Sequence, residues 1–278
     1  MKKLFFLIII MITLAACTMQ GDGKYGRPVS VAFVNVGYGD CIILTVNEMA
    51  YLIDTGSEKS VPSLFRGLSA MGVERIDGLF LTHTHQDHIG GTEALVQEYQ
   101  VDRLYSAEIS KATNKGKNKI VQLADKLGLH HTMLKADDLI EVEKDVSFKV
   151  IAPIEYNYED DNDNSLVLML ELNGKRFLLT GDLQFFGERV ILNSGAEIDA
   201  HILKVGNHGN KDATSPAFAE AVSPDYAIIS TSTAEDSGSA NKRVISALNP
   251  AEILITQNYE NGIRITVDIN GDISVGSL

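Results

Sequence analysis

Three histidines and an aspartate lie within six residues, and their types and spacing indicate a metal site. Residues 82–91 read Thr-His-Thr-His-Gln-Asp-His-Ile-Gly-Gly and follow a strand-like run. Alternate side chains of an extended segment point the same way, so His83 and His85 are placed to chelate one cation. If the chain then turns, Asp87 and His88 face a second cation beside the first. The competing interpretation is a polar loop that carries several histidines by chance.

A further carboxylate and a further histidine each follow an apolar run, at the point where a strand is predicted to end. Asp182 comes after residues 177–181, and one carboxylate in this position can bridge two divalent cations with its two oxygens. His208 comes after the apolar run 202–205. Taken singly, Gly-Asp is an ordinary turn and a lone histidine is usually structural. Three polar motifs at three strand ends indicate one shared site instead.

The elements that must position these groups are strands alternating with helices. Short apolar runs predict strands, and apolar residues at helical spacing predict helices. The predicted strands are 29–36, 41–46, 49–54, 76–82, 101–106, 147–151, 166–172, 176–180, 200–205, 226–230, 252–256 and 263–267. The predicted helices are 61–68, 92–99, 120–127, 185–193, 216–222 and 243–248. This order predicts a layered α/β body, and we expect one domain because the polar motifs must meet.

Composition and charge narrow the class of protein. Of the 278 residues, 45% are hydrophobic and 22% are charged, which fits a folded protein with a sizeable core. The formal net charge of -13 argues against a broad nucleic-acid-binding surface, because such a surface needs clustered Lys and Arg. Two cysteines exclude a disulfide framework. Cys41 lies in an apolar run, so we expect a buried and inert thiol.

The first residues are typical of an export signal. Lys2 and Lys3 precede an apolar run that is shorter than the roughly 20 residues of a membrane span. The run ends in Leu-Ala-Ala-Cys, which resembles the lipobox of bacterial lipoproteins. The resemblance implies a signal peptide over 1–16, a lipidated Cys17 and a flexible tether over 17–28. We therefore expect an exported lipoprotein anchored to the membrane, with its folded domain, residues 29 to 278, outside the cytoplasm; an ordinary signal with a chance cysteine is the alternative.

Taken together, the motifs resemble those of the metallo-β-lactamase superfamily, and within it the hydrolase domain of ComEC-type competence proteins and their free-standing relatives. Four further stretches carry the closer resemblance, and they are Val34–Cys41 (to Val-Asp-Val-Gly-Gln-Gly-Asp-Ser), Leu52–Gly56 (to Leu-Ile-Asp-Thr-Gly), Asn164–Leu168 (to Asn-Ser-Leu-Val-Leu) and Leu203–Asn210 (to Leu-Lys-Val-x-His-His-Gly-Ser). The resemblance runs from about Val29 to the C-terminus. It implies a four-layer αββα sandwich with the metal site along one edge of the two sheets.

The resemblance also implies two divalent metal ions and six protein ligands. These ligands are His83, His85, Asp87, His88, Asp182 and His208. The first two would hold one cation, Asp182 would bridge both cations, and the remaining three would hold the second. Asp87 and Asp182 are the expected catalytic residues. Asn207 stands where the family has the first histidine of His-His-Gly, so the second site is weakened here if that histidine is the family's ligand.

One ligand of the superfamily has no counterpart in this chain. β-Lactamases and glyoxalases complete the shell of the first metal with a histidine ahead of the bridging aspartate, but no histidine occurs between His131 and His201. Oxygen ligands from residues 161–164, or water, would have to fill the position, and the resemblance selects Asn164. The acidic run 159–163 is expected to be a solvated loop for most of its members. Oxygen ligands suit Mn²⁺ or Fe²⁺ as well as Zn²⁺, the ion we expect.

These features predict a metal-dependent hydrolase in which a metal-bound hydroxide attacks the substrate. A cation pair suits phosphodiesters because it stabilises both the attacking and the leaving oxygen, so extracellular DNA or an envelope polymer is the expected substrate. The alternatives are a non-catalytic metal-binding lipoprotein that binds envelope polymer or a partner, and a lactone or thioester hydrolase. Tyr38 and Lys204 are candidate substrate-binding residues, and we expect no stable protein partner.

Some polar residues outside these motifs are expected to be structural. Asp54 is predicted to organise the turn beneath the site. The histidines outside the motifs are expected to lie in the core or on the surface, and they are His130, His131 and His201. We interpret one basic cluster as part of a solvated loop, in preference to a phosphate-binding surface. The cluster consists of Lys111, Lys115, Lys117 and Lys119.

Overall fold

A computed structural model describes residues 26–109 and 118–278, which contain fifteen β-strands and seven α-helices. The strands are β1 Val29–Val34, β2 Ile42–Val46, β3 Met49–Ile53, β4 Gly78–Leu81, β5 Leu104–Ala107, β6 His131–Leu134, β7 Leu139–Glu143, β8 Val146–Ala152, β9 Val167–Leu172, β10 Lys175–Leu179, β11 Ile202–Lys204, β12 Tyr226–Ile229, β13 Glu252–Ile255, β14 Gly262–Val267 and β15 Ile273–Ser277. The helices are α1 Val61–Ala70, α2 Gln86–Ile89, α3 Thr92–Glu98, α4 Lys119–Leu127, α5 Phe185–Ser194, α6 Pro216–Val222 and α7 Lys242–Ala247.

The strands form two mixed sheets. The first sheet has the order β15-β14-β1-β2-β3-β4-β5-β6, and the second has the order β13-β12-β11-β10-β9-β8-β7. Strands β3 to β6 are parallel to one another, and so are β10 to β13. Parallel neighbours place their carboxyl ends at one edge of the sheet, where open α/β sheets bind ligands. The polar motifs after β4, β10 and β11 therefore start from such edges.

Three separate apolar clusters show how the layers are stacked. One cluster lies between the sheets and combines Phe33 and Phe80 of the first sheet with Phe148 and Phe177 of the second. A second cluster joins the other face of the first sheet to residues of α1, α3 and α4. A third joins the other face of the second sheet to residues of α5, α6 and α7. Three interfaces between successive layers make a four-layer αββα sandwich, which confirms the expected fold.

All twelve predicted strands and all six predicted helices occur in the structure, with bounds that differ by a few residues. Three strands were not predicted, namely β6, β7 and β15. In these strands most side chains are exposed or half-buried, and each strand pairs with a neighbour on one side only. An edge strand with polar side chains carries a weak apolar pattern, which is why the sequence did not reveal it.

The predictions for the N-terminus fall mostly outside the described residues. The signal peptide over 1–16 and the lipidated Cys17 belong to this part of the chain, and so does most of the tether. Three lysines of the basic cluster, Lys111, Lys115 and Lys117, also lie outside it. Within residues 26–109 and 118–278, no helix combines the length and the apolar composition that crossing a bilayer requires.

Candidate metal centre

The end of β4 places the first histidines by local geometry. Residues 82–85 continue from the strand, and His85 has extended backbone angles (φ −76°, ψ 151°) at the start of α2. The chain then turns into this short helix, which carries Asp87 and His88. His83 and His88 are fully buried, whereas Asp87 and His85 are partly exposed. The structure therefore contains the predicted extended segment followed by a turn.

Asp182 is held at the end of β10 by a glycine that admits no side chain. Gly181 has φ of 52°, and a Cβ atom there would lie 2.9 Å from the Ser165 hydroxyl oxygen and 3.1 Å from the Thr82 Cβ. The Ser165 hydroxyl accepts a hydrogen bond from the Asp182 N–H at 3.0 Å. The close approach of β9, β10 and the β4 end therefore requires glycine at position 181.

His208 reaches the centre from a tight turn after β11. Asn207 and His208 both have left-handed backbone angles, with φ of 43° and 53°. Such angles are strained for most residues and are better tolerated by Asn and His. The His208 Nδ1–H donates to the carbonyl oxygen of Ser230 at 2.9 Å, which leaves Nε2 directed at the other ligands. Asn207 instead donates from Nδ2 to Asp212 at 2.9 Å, so His208 is the member of the pair that joins the cluster.

Four side chains converge on what we call the His208 side of the centre, which consists of Asp87, His88 and His208 together with the shared Asp182. The His208 Nε2 lies 3.3 Å from Oδ2 of Asp87 and 3.2 Å from Oδ1 of Asp182. The His88 Nε2 lies 3.2 Å from Oδ2 of Asp182 and 3.4 Å from Nε2 of His208. One potential ligand atom from each residue lies within 4.8 Å of the others.

A smaller group, which we call the His85 side, consists of His83 and His85 and shares Asp182. The His83 Nε2 lies 3.0 Å from Nδ1 of His85 and 3.8 Å from Oδ2 of Asp182. On its other edge, His83 Nδ1 lies 3.1 Å from the hydroxyl of Thr82 and 3.4 Å from that of Ser165. The six side chains predicted from the sequence are therefore brought together, with Asp182 between the two sides.

Asp54 supports the His208 side through hydrogen bonds to Thr82 and His88. Its carboxylate accepts hydrogen bonds from the Thr82 N–H at 2.8 Å, the Thr82 hydroxyl at 2.7 Å and Nδ1–H of His88 at 2.7 Å. A carboxylate on the far nitrogen fixes the tautomer and orientation of a ligand histidine. Asp54 therefore organises the turn beneath the site, as the sequence predicted.

Asp40 and Lys204 form a second brace, and this one was not predicted. The Lys204 ammonium lies 2.6 Å from Oδ2 of Asp40 and also donates to the backbone carbonyls of Gly181 and Val205. Both charged side chains are buried. The loop that carries Asp40 approaches the Asp87 backbone closely and requires glycine at position 39, since a Cβ there would lie 2.4 Å from the Asp87 carbonyl oxygen. The Gly-Asp of the first family-like motif was the signal for Asp40.

The burial of Lys204 corrects one expectation. Its side chain is 0% exposed, and its three N–H groups face Asp40 and two backbone carbonyls. A substrate in the pocket has no access to this ammonium group, so Lys204 is not a substrate-binding residue. Residue type and position in the motif do not show that the Lys204 side chain points at Asp40; only the packing does.

The hydrogen bonds of Asn164 do not support its assignment as a metal ligand. Its amide oxygen accepts the Asn157 N–H at 2.9 Å, and its Nδ2 donates to the Asn157 carbonyl at 3.0 Å and to Oδ1 of Asp161 at 3.3 Å. These bonds close the 157–164 loop upon itself. The expectation that most of the acidic run 159–163 is solvated is wrong for its second part: Glu159 is exposed and Asp160 half-buried, but Asp161 and Asp163 are only 2% and 4% exposed.

The electrostatics of the centre favour positive charge. Burial opposes charge on His208, but Asp182 and Asp87 outweigh it and raise the pKa of His208 to about 9. Burial likewise opposes charge on His88, yet Asp182 and Asp54 hold its pKa well above the usual range. The pKa of Asp182 lies well below its usual range because His208 and His88 outweigh burial. The carboxylates of the centre therefore favour positive charge at His208 and His88.

The His85 side has a different electrostatic character. Burial, aided by the charge of His88, lowers the pKa of His83 well below its usual range. His83 is therefore neutral at physiological pH and has a free lone pair, the form in which imidazole binds metals. The Cys41 thiol is buried, as expected from the sequence, and burial, followed by Asp54 and Asp40, raises its pKa.

The donor set fits divalent cations. Asp182 Oδ1 is buried, and among the described residues it accepts no well-aligned hydrogen bond, although the His208 Nε2 lies 3.2 Å from it. An unsatisfied buried carboxylate oxygen is unfavourable unless a cation or a polar ligand reaches it. Imidazole nitrogen and carboxylate oxygen are the ligands of Zn²⁺ in hydrolytic sites, and carboxylate also suits Mn²⁺. The cluster is therefore able to hold metal.

The centre opens into a pocket of about 530 Å³. The pocket is lined by side chains that are mostly polar, and they are Tyr38, His85, Asp87, Asn162, Asp182, Gln184, Asn207, Asn210, Lys211, Asp212 and Asn241. The Tyr38 ring lies against His208 with 4.2 Å between centroids, and its hydroxyl accepts from Asn210 Nδ2 at 3.3 Å. Burial, Asp182 and Asp87 raise the pKa of Tyr38, so its hydroxyl remains a proton donor.

Other grooves and the remaining histidines do not belong to this centre. A groove of about 780 Å³ is lined by residues of β7 to β10, and none of its described lining residues is a histidine. His131 Nε2 lies 2.9 Å from the Ser106 hydroxyl, and His201 Nδ1 accepts the Arg176 N–H at 3.2 Å. These contacts bear out structural roles for both histidines.

Comparison with known proteins agrees with the fold and the ligand motifs. The model of the family described as the metallo-beta-lactamase superfamily matches residues 34–233. The chain belongs to the metallo-β-lactamase superfamily. Its fold is that of metal-dependent hydrolases, and the observed His/Asp clusters are able to bind the divalent ions that this superfamily uses.

Within the superfamily, the chain is similar to competence proteins, as the ComEC-like motifs indicated. It is 31% identical over 250 residues to ComE operon protein 3 of Bacillus subtilis, an overlap that covers 84% of this chain and 32% of that protein. It is 28% identical over 250 residues to competence protein ComA of Neisseria gonorrhoeae, covering 89% of this chain and 32% of that protein. The chain thus spans about a third of the length of these relatives.

Solved structures show the same fold. The metallo-beta-lactamase fold protein YhfI from Bacillus subtilis superposes with a TM-score of 0.56 at 12% identity, covering 90% of this chain and 100% of that one. A protein described as a new diphosphatase from the PhnP family superposes with a TM-score of 0.52 at 14% identity, covering 90% and 99%. At these identities the likeness concerns the fold alone.

Proposed function

We propose that this protein is a two-metal phosphodiesterase. The observation that carries the proposal is the position of Asp182, whose carboxylate lies 3.2 Å from both His88 and His208 and 3.8 Å from His83. A carboxylate between two groups of histidines is placed to bridge two cations, and its buried oxygen, which accepts no well-aligned hydrogen bond among the described residues, agrees with that role. Zn²⁺ is the proposed ion, with Mn²⁺ or Fe²⁺ as alternatives.

The chemistry divides between the metal ions and the residues of this chain. Two divalent cations, when bound, supply the Lewis acidity that activates a water molecule and neutralises charge on the substrate. His83 and His85 would hold one cation; Asp87, His88 and His208 would hold the other. Asp54 keeps the His88 ring in its tautomer, and Ser230 does so for His208. The Tyr38 hydroxyl stays protonated at the pocket wall and is the proposed hydrogen-bond donor to substrate.

Three observations support a phosphodiester as the substrate. A pair of cations stabilises both oxygens of an in-line displacement at phosphorus. The relatives of the chain include competence proteins. The pocket also has a lysine, Lys211, at its lining to meet a phosphate oxygen. The net charge of -13 favours a short phosphodiester segment over a long nucleic-acid duplex.

We also propose that the protein works outside the cytoplasmic membrane, anchored by lipid on Cys17. The support is the Leu-Ala-Ala-Cys sequence after a positively charged start and a short apolar run. Metabolic labelling with an alkyne fatty acid tests this directly. Label is expected in the membrane fraction for the unchanged chain and is expected to be absent for Cys17→Ser, with Cys41→Ser as the matched control that keeps the label.

The activity is tested with bis(p-nitrophenyl) phosphate and the purified protein supplied with Zn²⁺ or Mn²⁺. Turnover is expected with at least one metal and is expected to be abolished by chelation. His85→Ala is expected to lower it at least about 100-fold, because a direct ligand matters more than the outer partners whose loss costs about 10–100-fold. His130→Ala, which changes an exposed histidine outside the centre, is the control and should retain full activity.

The same assay separates the alternative functions. Lactone and thioester substrates are included, and faster turnover of either than of the phosphodiester would replace the proposed substrate class. Two bound metal equivalents without turnover on any of these substrates would support the non-catalytic binding protein instead.

A further inference from the structure

The loop before β9 contains four polar residues, and each has its side chain buried at the edge of the metal centre. These residues are Asp161, Asn162, Asp163 and Asn164, with exposures of 2%, 8%, 4% and 0%. Buried polar groups in folded proteins have partners in the great majority of cases. The hydrogen bonds of the four therefore show which of them are committed to the fold.

Asp161 and Asp163 are fully engaged in holding the loop. The Asp161 carboxylate accepts the Thr84 N–H at 3.1 Å and the Thr84 hydroxyl at 2.6 Å, which ties the loop to the histidine motif. The Asp163 carboxylate accepts the backbone N–H groups of Gln184 and Gly187 at 3.0 and 2.9 Å, together with Nδ2 of Asn157 at 2.8 Å. Asn164 closes the loop through Asn157 at both ends of its amide.

Asn162 is different. Its amide oxygen is buried and has no hydrogen-bond partner among the described residues. Asn162 also lines the pocket that His85, Asp87 and Asp182 line. A buried carbonyl oxygen that the fold leaves unpaired, in a residue that borders a pocket with candidate metal ligands, is in the state expected of a group reserved for a ligand.

The His85 side is also the side that lacks a protein ligand. His83 and His85 share Asp182 with the other side, whereas the His208 side has Asp87, His88 and His208 in addition to it. No histidine occurs between His131 and His201 to complete it. An amide oxygen is an accepted ligand for Mn²⁺ and similar ions and is weaker than imidazole for Zn²⁺.

We propose that the Asn162 amide oxygen is a metal ligand on the His85 side of the centre, in the place of the absent histidine. The inference rests on the proposed function, because it requires that the centre holds two cations. It assigns the open coordination position to a specific residue, and it makes the His85 side the weaker of the two sites for Zn²⁺.

The experiment measures metal binding directly. The purified protein is stripped with chelator and titrated with Mn²⁺ and Zn²⁺ by calorimetry, and the bound equivalents are counted by elemental analysis after desalting. The unchanged protein is expected to bind two equivalents. Asn162→Ala is expected to weaken one of them about 10-fold or more and to leave the other within about twofold. Gln184→Ala removes a different carboxamide from the same pocket and should change neither affinity.

A near-isosteric variant covers the case in which Asn162→Ala fails to fold. Asn162→Asp keeps the size of the side chain and replaces the amide by a harder, charged donor. It is expected to tighten one Mn²⁺ equivalent and to alter the absorption spectrum of the Co²⁺-loaded protein, which reports coordination number. A merely structural asparagine would leave the Co²⁺ spectrum unchanged, even if the added charge tightened Mn²⁺ through space.

The outcomes distinguish the inference from the function beneath it. If the unchanged protein binds no second cation, the proposed two-metal function fails and the assignment of Asn162 fails with it. If two cations bind and phosphodiester is hydrolysed, but both Asn162 variants bind metal as the unchanged protein does, the assignment alone is overturned. A raised KM with unaltered metal affinities in these variants would also overturn it, since Asn162 would then contact the substrate.

Discussion

The two sides of the metal centre are supported in different ways. On the His208 side, both histidines donate from their far nitrogens to fixed acceptors, Asp54 and the Ser230 carbonyl, and the buried Asp40–Lys204 ion pair lies beneath them. On the His85 side, His83 meets two hydroxyl groups and His85 is partly exposed to the pocket.

This difference teaches where the centre is preorganised and where it is adaptable. Charged acceptors hold a ligand histidine more firmly than hydroxyl groups do, and such outer partners set metal affinity. The His208 side is therefore expected to bind its cation first and more tightly. The His85 side borders the pocket and lacks a histidine, so the affinity of a cation bound there is expected to depend on the loop that contains Asn162.

The largest effect is expected from Asp182, the group that both sides share. Asp182→Ala removes the oxygen between the two groups of histidines, so both metal equivalents should be weakened and phosphodiester turnover should fall at least about 100-fold. Elemental analysis and the phosphodiester assay measure the two effects. Asp272→Ala, an exposed aspartate far from the centre, is the control. Retention of both metals by Asp182→Ala would refute the shared bridge.

Loss of the buried Lys204 ammonium group beneath the His208 side should destabilise the whole protein. Lys204→Met leaves the Asp40 carboxylate buried without its partner, which typically lowers the free energy of unfolding by about 3–5 kcal/mol. Denaturant unfolding of the metal-free protein measures it. Lys211→Met, at an exposed lysine, should change stability by less than about 0.5 kcal/mol. The double variant Asp40→Asn with Lys204→Met should recover part of the loss, and no recovery would contradict the ion-pair explanation.

A weaker hydrogen bond between Asp54 and His88 should affect metal binding on the His208 side only. Asp54→Asn keeps the size of the side chain but replaces the negative acceptor of the His88 N–H by a neutral amide. The cation on the His208 side should lose about 10–100-fold in affinity, while the cation on the His85 side changes little. Metal titrations in His85→Ala and His88→Ala backgrounds isolate the two sides. Equal losses on both sides would mean that Asp54 supports the fold generally rather than His88 specifically.

The smallest effect is a difference in pH dependence between the two sides. Asp182 and Asp87 outweigh burial and raise the pKa of His208 to about 9, so below this pH the metal-free site holds a proton that a cation must displace. His88 on the same side also has a raised pKa, so Mn²⁺ affinity of the His208 side should rise up to about a hundredfold per pH unit where both imidazoles release protons, with a smaller slope above about pH 9. The pKa of His83 is already lowered by burial, so the slope contributed by His83 should be smaller. Equal slopes for the two sides would contradict this comparison.

Much of the centre could be predicted from the sequence because its ligands are presented by local geometry. The alternation of an extended segment pairs His83 with His85, and a single helical turn presents Asp87 and His88. Asp182 and His208 follow strands that are visible as apolar runs. The edge strands escaped prediction because half-exposed strands carry little of the apolar pattern on which such predictions depend.

Other features depended on contacts that no local pattern contains. Lys204 belongs to a family-like motif close to His208, yet its ammonium group is paired with Asp40. Asp40 lies 164 positions earlier, in the loop between β1 and β2 of the other sheet. Asn164 fitted a motif, yet its amide is used within its own loop. Neither fact follows from residue type and spacing.

The sequence alone determined the layered fold, the strand-end motifs and the set of side chains able to hold metal, because strand alternation, turns and apolar periodicity are properties of neighbouring residues. The tertiary structure alone decided which of those polar atoms remain available. Hydrogen-bond partners are allocated between segments far apart in the chain, and this allocation satisfies the oxygen of Asn164, buries the ammonium of Lys204 and leaves one oxygen each of Asp182 and Asn162 without a well-aligned hydrogen bond among the described residues.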